Sequence, residues 1–158
     1  MKTLKYLGVF LVLTLTITSC GSSEDSERAA KLEEAGRMHD EGLALAAEIN
    51  KMIGTAEELI GQLGEEQQEE VVPHIESIEG VKEDYKSWQE TLKEVPGHAH
   101  AHNEGDGHHH NHDHSMDNAS ADDIVKVQEE SRDFIADAHN RLTKAIDAVQ
   151  TMIDDVME

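Results

Sequence analysis

Imidazole and carboxylate side chains crowd into one short segment of this chain. His98, His100, His102, His108, His109, His110, His112 and His114 make up eight of its eleven histidines, with Glu104, Asp106 and Asp113 among them. Neutral imidazole nitrogen is a good donor to zinc, copper or nickel, and carboxylate oxygen can complete the shell. The His-x-His alternation sets rings along an extended strand that can wrap an ion. These donors outnumber a single coordination shell, whereas a structural zinc site has few ligands at fixed spacing. The segment therefore predicts several weak, exchanging sites whose ligands are the eight histidines with Asp106 and Asp113. Protons compete with metal for the same nitrogens, so acidification should weaken binding. The plainer alternative is a soluble spacer whose metal affinity is a by-product of composition.

The remaining chemistry is sparse. His39 falls on an apolar helical seam, where a hydrogen-bonded histidine is expected. His74 and His139 fall at similar heights in the bundle proposed below, which leaves a paired metal site there as a remote alternative. The one cysteine, Cys20, has no partner for an intrachain disulfide. No nucleophile motif or glycine-rich phosphate loop is present, and nothing sets a catalytic carboxylate pair apart from helix surface. The sequence is therefore read as that of a non-enzyme.

Cys20 has a different use. Lys2 and Lys5 precede an apolar stretch from Leu7 to Ile17, shorter than the roughly twenty residues that cross a bilayer and suited to a secretory signal. That stretch ends Ile17-Thr18-Ser19-Cys20-Gly21, which resembles a lipobox. The resemblance implies cleavage before Cys20 and lipidation of its sulfur, with residues 1–19 as signal peptide. Residues 20–27 would be a lipidated, polar tether and 28–158 a helical domain. Position 21 is not aspartate, and Ser23 followed by Glu24 and Asp25 resembles the export tag of surface-exposed lipoproteins. Both imply a cell-envelope location, the outer membrane foremost.

Helices must position these groups. In the first long stretch Leu32, Ala35, His39, Gly42, Ala46, Ile49, Ile53, Ala56, Ile60 and Leu63 alternate steps of three and four, an unbroken heptad seam. Gly61 and Gly64 bracket its end. A second stretch carries Val71, Ile75, Ile78, Tyr85, Trp88, Leu92 and Val95 at helical spacing, with Pro73 early in it and Pro96-Gly97 after it. Residues 97–119 have no apolar periodicity and read as loop. Ser120 with Asp123 can cap a third helix, whose apolar positions include Ile124, Val127, Phe134, Ile135, Ala138, Leu142, Ala145, Val149, Met152 and Val156. No such stripe can be buried alone. The expected fold is all-α: an antiparallel, coiled-coil-like three-helix bundle with a disordered His-rich loop between its second and third helices.

The formal charge of −21 disfavours nucleic acid, whose binding needs basic patches, and favours cations, metal ions and basic proteins. Met38-His39-Asp40-Glu41, the long Ala/Ile/Leu seam and Trp88 resemble small bacterial envelope lipoproteins that carry the label "viral A-type inclusion protein". That label reflects coiled-coil-like composition and implies no activity. The loop resembles the acidic His-rich segments of zinc-uptake proteins and metal transporters, which implies capture or buffering of zinc, copper or nickel. Two functions follow as expectations. One is a lipid-anchored binder of divalent transition metal. The other is a structural lipoprotein whose helices engage an envelope protein or a second copy, the loop serving as spacer.

Overall fold

The computed structural model describes residues 23–98 and 114–157. Cys20 and the apolar stretch before it lie outside the described residues. So do His100, His102, His108, His109, His110, His112, Asp106 and Asp113. The described residues are all-helical: α1 spans Ser23–Ile60, α2 Glu65–Glu70, α3 Val72–Thr91 and α4 Ala121–Met157, with a short 3₁₀ turn at His114–Met116. None of these helices is long and apolar enough to cross a membrane.

Helix α1 begins inside the stretch expected to be a tether. Glu24 and Asp25 fill its first turn, where carboxylates oppose the positive end of the helix dipole. Lys31 pairs with Glu27 at 2.9 Å one turn further on, in the order that favours a helix. At its other end Gln68 donates from Nε2 to the carbonyls of Leu63 at 3.1 Å and Ile60 at 3.3 Å. Those acceptors have lost the next helical turn, and the amide takes its place. Gln67 reaches back to accept from the Gly64 N–H at 2.7 Å, which starts α2. Pro73 stands in the first turn of α3, where its missing N–H costs nothing.

Two boundaries differ from the periodic pattern. Leu92 and Val95 fit helical spacing, but α3 stops at Thr91 and Leu92 is extended, with φ −57° and ψ 130°. Val95 precedes Pro96, whose ring disfavours helix at the residue before it. A turn follows, closed by the His98 N–H on the Val95 carbonyl at 3.1 Å, with Gly97 at φ +76°. That left-handed position favours glycine, which has no Cβ to clash. Ser120 caps α4 as its spacing suggests: its hydroxyl oxygen accepts from the Asp123 N–H at 3.1 Å and donates to Asp123 Oδ2 at 2.6 Å.

The core is aliphatic. Ile49, Ile78, Ile124, Ile135 and Leu142 are the largest side chains with essentially no exposure, each stabilising the fold by about 1.5–3 kcal/mol through burial. The central cluster joins Ala46, Ile49 and Ala56 of α1, Ile78, Val81 and Trp88 of α3, and Ile135, Ala138, Leu142 and Ala145 of α4. Smaller clusters close the two ends, one of Ala35, Val95 and Ile124 and the other of Leu63, Val71, Val149 and Ile153. Phe134 departs from expectation: it is 43% exposed while Ile135 beside it is fully buried. Successive residues of a helix point about 100° apart, so both cannot face one seam.

Helix α4 carries polar ties to both neighbours. Lys31 of α1 meets Asp122 at 2.8 Å, Glu48 meets His139 at 3.1 Å, and Glu41 meets Arg132 at 3.8 Å. On the α3 side, Arg141 pairs with Asp84. Trp88 donates from Nε1 to Ser131 Oγ at 2.9 Å and to the Ser131 carbonyl at 3.2 Å. Lys82 of α3 joins Glu57 of α1 at 2.9 Å.

Candidate functional site

The described polar groups converge at the end of the fold where the chain leaves α3. His39 is 2% exposed and Gln128 1%, the only buried polar side chains among the described residues. His39 Nδ1 lies 3.1 Å from Gln128 Oε1. Gln128 Nε2 donates to the Lys93 carbonyl at 2.8 Å, so its oxygen faces His39 as an acceptor and the imidazole proton resides on Nδ1. The opposite nitrogen, Nε2, is 4.0 Å from Glu94 Oε2. One glutamine amide thereby links α1, α4 and the irregular segment after α3.

His98, the first histidine of the expected metal segment, folds back onto α1. Its Nε2 is 3.0 Å from Asp40 Oδ1, and a carboxylate oxygen only accepts, so that nitrogen carries a proton. Its ring lies edge-on to that of His39, centroids 6.4 Å apart. Gly36 makes the room: a Cβ there would stand 2.5 Å from His98 Nδ1 and 2.8 Å from Cε1.

Beside His98 a solvent-open hollow of about 720 Å³ runs along the outer face of α1. Ala30 and Ala44 mark its ends, and Glu33, Glu34, Asp40 and Glu41 line it together with Arg37. Arg37 pairs with Glu41 one turn away. The pattern of positions 30, 33/34, 37, 40/41 and 44 repeats every three or four residues, so these side chains share one face.

Of the expected metal ligands, His98 is placed on Asp40, and His114 opens the 3₁₀ turn, of which only the backbone is described. Among the described residues no group of three or more histidine, cysteine, aspartate or glutamate side chains could hold a metal ion. His139 joins Glu48 of α1 rather than His74. Sequence reasoning anticipated a hydrogen bond for His39 but missed its partner. It also missed Gly36, Asp40 and the acidic face of α1, whose residues look like ordinary helix surface until His98 is seen beside them.

The cations within the fold are held by acids. Lys31 is raised above its usual range by the hydrogen bonds it donates to Asp122 and then Glu27, and Lys82 is raised by those it donates to Glu57 and then Glu79. Arg132 is raised by Asp133, and Arg141 by Asp84. These groups stay charged at neutral pH and act as ties between helices.

Comparison with known proteins gives one result. The family model of "Stn1: Telomere regulation protein Stn1" matches residues 37–141. No curated protein and no solved structure matches the chain. The family match takes in most of α1, all of α2 and α3, and the first half of α4. It overturns the resemblance to envelope lipoproteins, and with it the lipid-anchored binder or buffer of zinc, copper or nickel. The structural lipoprotein, the outer-membrane location and the membrane, metal and envelope partners fall for the same reason, as does the exclusion of nucleic acid. The physical source of the error is that Ala/Ile/Leu heptads report packed helices, not a cell compartment, and imidazole-rich composition binds metal in any setting. The chain belongs to the family of the telomere regulation protein Stn1.

Proposed function

We propose that this chain serves telomere regulation as an acidic helical adaptor, a non-catalytic rod whose outer faces bind a protein partner. The family match over residues 37–141 carries the reading. The surface supports it: with a formal charge of −21, exposed helix faces are predominantly anionic, and such a field draws cationic partners and speeds their encounter.

On this reading the helices form an antiparallel three-helix bundle, with α2 and α3 together as its middle rod. Advancing along α1 from Lys31 to Glu41 to Glu48 advances the α4 partner from Asp122 to Arg132 to His139. Equal steps in the same sense support parallel α1 and α4. Stepping back along α3 from Trp88 to Asp84 moves the α4 partner forward from Ser131 to Arg141, which supports an antiparallel α3. A bundle of this kind presents rigid helix faces, the form in which a helical partner is commonly engaged.

Deleting the chain in its own cell and following the length of chromosome-end repeats over successive generations tests the role. Altered length, restored by the intact gene, is the expected result. Unaltered length overturns the proposal.

A further inference from the structure

We infer that the hollow on the outer face of α1, beside His98, is a docking groove for a basic helix of a protein partner. The inference rests on the adaptor reading and names the surface that does the binding.

Shape sets the first condition. Ala30 and Ala44 lie at the two ends of the hollow, fourteen residues or roughly 21 Å apart along the helix. Small side chains let a second helix axis come within the 8–10 Å of ordinary helix packing. Four turns of a partner helix span the same length. The groove is bounded on one side by His98, held there by Asp40 at 3.0 Å and by the notch at Gly36. Its wall is therefore part of the folded structure and does not have to be ordered when the partner arrives.

Charge sets the second condition. Four carboxylates line the hollow, and its own arginine, Arg37, is engaged by Glu41. Among the described residues no lysine, arginine or histidine stands within ion-pair distance of Glu33 or Glu34, unlike the acids that hold Lys31, Lys82 and Arg141. The acids form two adjacent pairs, Glu33/Glu34 and Asp40/Glu41, two helical turns apart on one face, so lysines or arginines two turns apart on a partner helix would meet them in register. A basic helix satisfies both conditions at once. A second copy of this chain would bring further acids against them, and like charges repel.

The test uses the full chain and a fluorescein-labelled helical peptide of alanine and lysine, about fourteen residues long, with lysines at every third and fourth position. Anisotropy at near-physiological salt, where screening acts beyond about 8 Å, reads the affinity. Glu33→Lys/Glu34→Lys is expected to weaken binding tenfold or more. Glu65→Lys/Glu66→Lys changes the net charge equally on exposed positions of α2 and is expected to change it less than threefold. Circular dichroism and Trp88 fluorescence unchanged from the parent show that both variants are folded. Equal losses in the two variants would mean attraction by net charge alone and would overturn the groove, while the adaptor role would still stand or fall on chromosome-end length. Failure of the parent chain to bind the peptide overturns the groove as well. A telomeric-repeat oligonucleotide that binds the parent and is weakened by Arg37→Ala would give the face to nucleic acid and sink the proposal. Self-association in sedimentation that Glu33→Lys/Glu34→Lys abolishes would give it to a second copy, with the same consequence.

Discussion

His39 of α1 and Gln128 of α4 meet at 3.1 Å inside an otherwise aliphatic interior. The glutamine then spends its amide N–H on the Lys93 carbonyl at 2.8 Å. The pair therefore sets the register of two helices and pins the irregular segment that follows α3. An apolar pair would pack as well at this depth but would slide more easily, because apolar contact is not directional.

Replacing Gln128 with leucine should cost about 2 kcal/mol, since two hydrogen bonds in the interior are lost at about 1 kcal/mol each. The loss in a His39→Leu background should be smaller, because one bond is already gone. Urea unfolding of the two single variants and the double variant measures the coupling. Strict additivity would show that the contact does not contribute.

Gly36 and Gly42 lie six residues apart on α1 and should respond oppositely to alanine. At Gly42 an added Cβ would meet Trp88 Cζ2 at 3.5 Å, an ordinary contact. Relief of glycine's backbone entropy should then stabilise the protein by about 0.5–1 kcal/mol. At Gly36 the same atom would overlap the His98 ring. Gly36→Ala should release His98 from Asp40, seen as a shift of its imidazole resonances, and should destabilise. In a His98→Ala background the sign should reverse.

Trp88 is 4% exposed and donates from Nε1 to Ser131 at 2.9 Å. Trp88→Ala should cost about 3–5 kcal/mol, the usual range for deleting a buried aromatic ring. Trp88→Phe should lose about 1 kcal/mol for the hydrogen bond, plus whatever the smaller ring leaves unfilled. Because it is the sole tryptophan, denaturation of these variants is followed by circular dichroism. In the parent, the same residue is a fluorescence probe of the central core.

Lys31 ties α1 to Asp122 in the first turn of α4, and that contact raises its pKa from an ordinary 10.5. A cation whose folded value lies above its unfolded value stabilises fully below the unfolded value and loses that contribution as pH rises through the folded one. Asp122→Asn should thus lower the melting temperature slightly and evenly from pH 6 to 9. The difference should fade only in strong alkali, and should shrink in molar salt because the pair is exposed. A difference that peaked near neutral pH would point to another group.

Much of the helical framework is legible in the residues themselves. The seam Ala35, His39, Gly42, Ala46, Ile49 and Ala56 is buried as its spacing demands. Gly61, Gly64 and the Ser120–Asp123 pair mark boundaries where the chain does turn. These signals act within one or two helical turns, so a linear reading captures them. The family does not emerge from them, because heptad composition is shared by helical proteins of many functions.

The all-helical class, the placement of the main helices and the strongly acidic surface thus follow from residue types and their spacing. Only packing between the helices decided that Gln128 would face His39 and that Ile135 rather than Phe134 would turn inward. It also set His98 on Asp40 in the notch of Gly36. Each depends on the register between helices far apart in the chain. Register is fixed by the joint packing of all the faces, a sum of many small contacts that no local stretch contains.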